Sequence, residues 1–197
     1  MGSGMIHLRR EDYVTSRWSG GSTTQIAIAP EGALYADRSF LWRLSSATVE
    51  LEESDFTPLP DYNRLISTLK GEIDLVHDGG APLHLKPYQI HAFDGGAATV
   101  SRGVCTDFNL MLRKGACTGE LKALHLGGEP AVLRCDAGEA WTTLLVYCCT
   151  GAVTVVTGGE ELTLQAGESL LVRDAAGVEL RLEGAADCMA AQIHGCA

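Results

Sequence analysis

The side chains in this sequence best suited to chemistry are arginine, aspartate and asparagine placed at β-strand spacing. In Asp107-Phe108-Asn109-Leu110-Met111-Leu112-Arg113 the apolar Phe108, Leu110 and Leu112 alternate with Asp107, Asn109, Met111 and Arg113. Side chains alternate across a strand, so this segment aims an acid, an amide and a guanidinium at one face. Arg43 lies in Phe40-Leu41-Trp42-Arg43-Leu44-Ser45-Ser46-Ala47, where the same parity puts Leu41, Arg43 and Ser45 together. Arg64 precedes the apolar run Leu65 to Leu69. A guanidinium beside apolar walls binds a carboxylate bidentately and more strongly than one in water. The competing account makes Arg43, Arg64 and Arg113 solvated, or pairs them with Glu50, Asp74 and Asp107 as structural ion pairs. Trp18 and Trp42 read as core.

Other chemistries lack their residues. A metal held inside a β-barrel needs histidines at even offsets, and no His-x-His pair occurs. His77, His84 and His91 are seven apart, an odd offset, and His7, His125 and His194 are isolated. No metal and no cofactor is therefore expected. Ser45-Ser46 and Cys148-Cys149 have no nearby histidine and no Gly-x-Ser-x-Gly elbow. Gly20-Gly21 and Gly95-Gly96 lack the Lys-Ser/Thr that would make a phosphate loop.

The elements that must position these groups are strands. Segments at 40–50, 64–77, 83–94, 98–113, 141–157, 160–165, 168–173 and 178–183 are short, rich in β-branched, Leu and aromatic residues, and divided by glycine. A helical turn is expected only within Asp61 to Leu69, so the class is mainly β. The 197 residues are 46% hydrophobic, enough for a real core. A net charge of −10 argues against direct nucleic-acid binding. No apolar run approaches a membrane span, and seven cysteines without a CxxC pair read as buried reduced thiols, so a cytoplasmic location is expected.

An internal echo refines the class. Gly71-Glu-Ile-Asp-Leu-Val76, a Gly79-Gly80 turn and Leu83-x-Leu85 are matched by Gly151-Ala-Val-Thr-Val-Val156, a Gly158-Gly159 turn and Leu162-x-Leu164. Two copies of one β unit are implied. In both copies the unit resembles the second motif of the cupin family.

Six ordered blocks carry a more specific resemblance. Trp18-x-Gly20-Gly21-x-Thr23-Thr24-Gln25-Ile26, Phe40-x-Trp42-Arg43-Leu44-Ser45-x-Ala47, Phe56-Thr57-x-Leu59-Pro60, Arg64-x-x-x-x-Leu69-x-Gly71, Phe93-Asp94-Gly95 and Asp107-Phe108-Asn109-x-Met111-x-Arg113 are similar, in that order, to the HutD/Ves family. The resemblance implies a bicupin of two tandem jelly-roll, cupin-like β-barrels without a catalytic metal. Residues 5–115 would form the first barrel with a ligand pocket, and 116–197 a second, mainly structural one. It also implies a role in modulating histidine or amino-acid catabolism by binding an organic acid such as urocanate or N-formylglutamate. Arg64 matches the family arginine that meets a ligand carboxylate. Thr24, Gln25, Arg43, Asp107, Asn109 and Arg113 are its expected companions, by parity. Two alternatives stay open: a metal-free isomerase or lyase with Asp107 as base, and an interaction protein of the stress-associated Ves branch. A homodimer through the Val153–Val172 region is the expected oligomer, if any.

Overall fold

The computed structural model describes residues 4–136 and 140–196. In chain order the strands are β1 (Gly4–Leu8), β2 (Val14–Trp18), β3 (Gly21–Ala29), β4 (Trp42–Val49), β5 (Glu53–Asp55), β6 (Tyr62–Lys70), β7 (Ile73–His77), β8 (Leu83–Leu85) and β9 (His91–Asp94). They continue as β10 (Thr99–Arg102), β11 (Cys105–Arg113), β12 (Cys117–Gly127), β13 (Ala131–Arg134), β14 (Thr142–Thr157), β15 (Glu160–Gln165), β16 (Ser169–Arg173) and β17 (Glu179–Gly195). Two short 3-10 turns are the only helical segments among the described residues, and no helix is long and apolar enough to cross a membrane. The helical turn expected within Asp61 to Leu69 is strand β6. Its burial alternates at Tyr62, Arg64 and Ile66, the period of a strand rather than a helix.

The chain divides into two compact units, Tyr13–Cys117 and a second made of Met1–Asp12 with Thr118–Ala197. The expected boundary at residue 5 is thereby corrected. β1 pairs antiparallel with β16, His7 opposite Leu170, so the first residues complete the C-terminal unit's sheet. That sheet has seven strands in the order β1-β16-β14-β17-β12, with β13 on β17 and β15 on β14. Its core is aliphatic and thiol: Leu144, Val153, Val155, Leu164, Leu182 and Cys188 are at most 1% exposed.

The unit Tyr13–Cys117 holds a four-stranded sheet, β5-β10-β7-β8, and a six-stranded one, β2-β3-β4-β11-β6-β9. The two share a core in which Ile66 of the larger sheet meets Ile73, Leu75 and Leu85 of the smaller. The echo in the sequence is a repeat of pairing. Ile73 opposes Leu85 in β7/β8, and Val153 opposes Leu164 in β14/β15. Gly71 and Gly151 open the two hairpins with φ of 81° and 70°. At each glycine a Cβ would strike a carbonyl oxygen, of Val104 or of Ala185, so both close approach and left-handed backbone demand glycine.

Candidate functional site

Register within the six-stranded sheet builds the site. β11 runs between β4 and β6, and Met111 lies opposite both Arg43 and Arg64, with Phe93 of β9 next to Arg64. One step along, Gln25, Ser45, Asn109, Ile66 and His91 form a second row across five strands. The face that carries these rows encloses a cavity of about 380 Å³ lined by Arg43, Arg64, Asp107 and Asn109 together with Trp18, Thr23, Tyr35, Ser45, Phe56 and Met111. That volume suits a small metabolite rather than a polymer. Gly95 fixes the strand under Arg64: a Cβ there would come within 2.7 and 2.8 Å of the Tyr62 and Leu59 carbonyl oxygens.

The two arginines are in different states. Arg43 is satisfied by protein: its Nε donates to Gln25 Oε1 at 2.8 Å, its Nη1 donates to Ser45 Oγ at 3.1 Å, and its guanidinium lies 4.4 Å from the Tyr35 ring centre. Arg64 is 6% exposed, its guanidinium packs over Phe56 and Phe93 at 4.7 and 5.3 Å, and its buried Nε has no hydrogen-bond partner. Burial pulls its pKa down to about 10, with Asp107 opposing the shift, so it keeps its charge at neutral pH. Asn109 Oδ1 is likewise buried without a partner. Leaving such groups unsatisfied costs about 1–3 kcal/mol each, more for a charged one, so the wall is built for something that accepts from Arg64 and donates to Asn109.

Asp107 accepts the Ala47 backbone N–H at 2.8 Å, and no ion pair joins it to either arginine among the described residues. Burial pushes its carboxyl up to about 6, against the pull of the Ala47 hydrogen bond and of Arg64 and Arg43. It is therefore an acid that changes charge close to neutrality inside an arginine-walled cavity.

Two expected companions lie elsewhere. Thr24 is not part of the cavity wall; its Oγ1 pairs with Thr15 Oγ1 at 2.9 Å in an exposed cross-strand contact, and Thr23 takes the wall position. Arg113 shares the parity of Asp107 but sits at the end of β11, where Nη2 donates to the Arg38 carbonyl at 3.0 Å and the guanidinium lies over Tyr62 at 5.4 Å. It anchors the loop after Arg38. Gln25 reaches the cavity through Arg43. Trp18, expected in the core, is 41% exposed and lines the cavity instead, whereas Trp42 is buried. Tyr35 was not signalled by sequence, because it sits in a 3-10 turn within a loop that has no apolar period. No group of three or more His, Cys, Asp or Glu side chains is placed to hold a metal ion among the described residues. Five of the seven cysteines are buried, Cys149 is partly exposed and Cys196 is exposed.

Paired antiparallel sheets with a polar cavity in one unit place the chain among cupin-like all-β proteins. Solved structures agree: bacterial pirin YhhW in complex with nickel(II) from Escherichia coli has a TM-score of 0.68 at 9% identity, over 96% of this chain and 98% of that one, a likeness of fold alone. The chain belongs to the HutD family, whose model matches residues 10–190. It is similar to the conserved protein of unknown function PA5104 from Pseudomonas aeruginosa PAO1, with 28% identity, TM-score 0.83, and 99% of this chain and 100% of that one covered. HutD from Pseudomonas fluorescens SBW25, in a formate condition, is 26% identical with a TM-score of 0.78, over 98% and 100%. No curated protein sequence matches the chain.

Proposed function

We propose that this protein is a metal-independent receptor for a small organic acid, built from two cupin units, that modulates histidine or related amino-acid catabolism. The observation that carries the reading is the buried, unpartnered Nε of Arg64 on a cavity wall. A carboxylate is the simplest group that satisfies a sheltered guanidinium, and Phe56 and Phe93 on its faces hold it in direction. The acceptor on Asn109 favours an acid that also carries an N–H, which urocanate and N-formylglutamate both do. Formate, the smallest carboxylate, is a minimal probe. Calorimetric titration of formate, urocanate and N-formylglutamate tests it: saturable binding abolished in Arg64→Ala supports the reading, and binding that is absent at millimolar concentration or indifferent to Arg64→Ala overturns it.

Asp107 favours a second reading, a metal-free isomerase or lyase. A carboxyl with a pKa near 6 is poised as a general base or acid, with Arg64 to stabilise an anionic intermediate. Turnover of a bound acid that disappears in Asp107→Asn while binding persists would select the enzyme over the receptor.

A further inference from the structure

One feature of the cavity-bearing unit lies outside the cavity wall: a pair of histidines that meet across its two sheets. His77 ends β7 of the four-stranded sheet on the face of Ile73 and Leu75, and His91 begins β9 of the six-stranded sheet on the face of Phe93. Their Nε2 atoms are 2.9 Å apart while their ring centres are 5.1 Å apart, so the rings meet tip to tip. Phe93 packs on both, 4.7 Å from His77 and 5.7 Å from His91, and also lies under the Arg64 guanidinium at 5.3 Å.

The two Nε2 atoms can share one N–H and no more. Either Thr99 Oγ1 donates to the Ala97 carbonyl at 3.2 Å and accepts from His77 Nδ1–H at 2.8 Å, so that His91 Nε2–H donates to His77 Nε2, or Thr99 Oγ1 donates to His77 Nδ1 and the His77 Nε2–H donates to His91 Nε2. In both tautomers a first added proton goes to the Nδ1 of the donating ring and leaves this bond in place, now charge-assisted. A second must sit on the Nε2 of the accepting ring, where it faces the other ring's Nε2–H at 2.9 Å, and the contact breaks. We infer that His77 and His91 form a proton-sensitive latch between the two sheets, closed by one shared N–H and opened by double protonation, whose opening loosens Phe93 and lowers the cavity's affinity for anions.

Burial lowers the pKa of both rings, and His77 further lowers His91, so the pair is neutral and closed at pH 7. The groups that bear on it are few. Asp78, on the turn after β7, opposes the shift at His77. β10 contributes Thr99, β6 contributes Arg64 against the Phe93 ring, and on β8 His84 is turned to Asp74 and Glu72.

The effect on affinity rests on the anion-site reading of Arg64; the latch itself does not. Histidine-ring and Phe93 signals are followed by NMR from about pH 7.5 to 5 without ligand, and formate is titrated by calorimetry over the same range, in the wild type and in His91→Gln. Asp107 loses its charge in that range and favours anion binding as pH falls. Wild-type affinity therefore rises, passes a maximum and drops at least about fivefold, whereas in His91→Gln it goes on rising. Phe93 signals shift with the second of two separated ring titrations. Independent titration of the two rings, an unmoved Phe93, or the same acid fall in His91→Gln overturns the latch. If formate binds at no pH, the receptor reading fails and the ring and Phe93 signals alone decide the latch. If His91→Gln does not fold, the wild-type titration decides it.

Discussion

The two units use the same hairpin for opposite ends. In the unit Met1–Asp12 with Thr118–Ala197 the buried polar residues among those described are Thr142, Thr143 and Ser169, and none of these is charged. In the unit Tyr13–Cys117 they include Arg43, Arg64, Asp107 and Asn109, and every buried side-chain atom without a partner among the described residues, such as Arg64 Nε and Thr68 Oγ1, belongs to it. Buried unpaired polarity destabilises a fold and persists where it is used. On the proposed reading, one unit serves as scaffold and the other gives up stability for a site. In the Val153–Val172 region, where a homodimer was expected, Val153, Val155, Leu164 and Val172 point into their own core.

The comparison breaks most easily at its two cores. Leu164→Ala should cost about 2–5 kcal/mol in denaturant unfolding, while Arg64→Met should leave stability unchanged or raise it, by up to about 1–4 kcal/mol. Comparable losses in both variants would dissolve the distinction. Next comes pH. Asp107 has a folded pKa raised from 3.8 to about 6, so between those values the folded state binds more protons than the unfolded one. Stability from this group is therefore highest below about pH 4 and falls by about 3 kcal/mol as pH rises through 6; Asp107→Asn should flatten that slope in unfolding measured across the range. The histidine pair has the opposite sign, since lowered pKa values remove stability as pH falls below the ordinary histidine range. Smaller again, Gly71→Ala and Gly151→Ala should each cost about 1–3 kcal/mol, and melting curves showing similar losses would sharpen the equivalence of the hairpins. Thr24→Ala should change stability by no more than about 0.5 kcal/mol and leave acid affinity untouched.

The site was readable where local alternation carried it. Asp107, Asn109, Arg43 and Arg64 come to one cavity because β11 pairs with β4 on one side and β6 on the other, which sets Arg43 and Arg64 opposite Met111 and Asn109 opposite Ser45 and Ile66, past a register shift between Thr106 and Asp107. The reading failed where position depends on distant pairing. Val14–Trp18 and Gly21–Ala29 are rich in Ser, Thr and Gly and have no apolar period, so the choice between Thr23 and Thr24 is made by the pairing of β3 with β4, Thr23 opposite Ala47 on the face of Asp107. Arg113 has the right parity, but strand β11 ends there and its side chain turns to a carbonyl. β1 joins β16 from the other end of the chain, which no local pattern announces. β17 continues to Gly195 through Ala185, Ala186, Ala190 and Ala191, poor β-formers held in place by their pairing with β14.

The most direct test of the central claim is calorimetry of formate, urocanate and N-formylglutamate against chelator-treated wild type and Arg64→Met. A sheltered arginine that receives an acid without a metal predicts one-site binding by at least one of the three, unaffected by the chelator and weakened at least about thirtyfold in a variant whose melting temperature is not lowered. Equal binding by Arg64→Met, or binding that vanishes with the chelator, would contradict it.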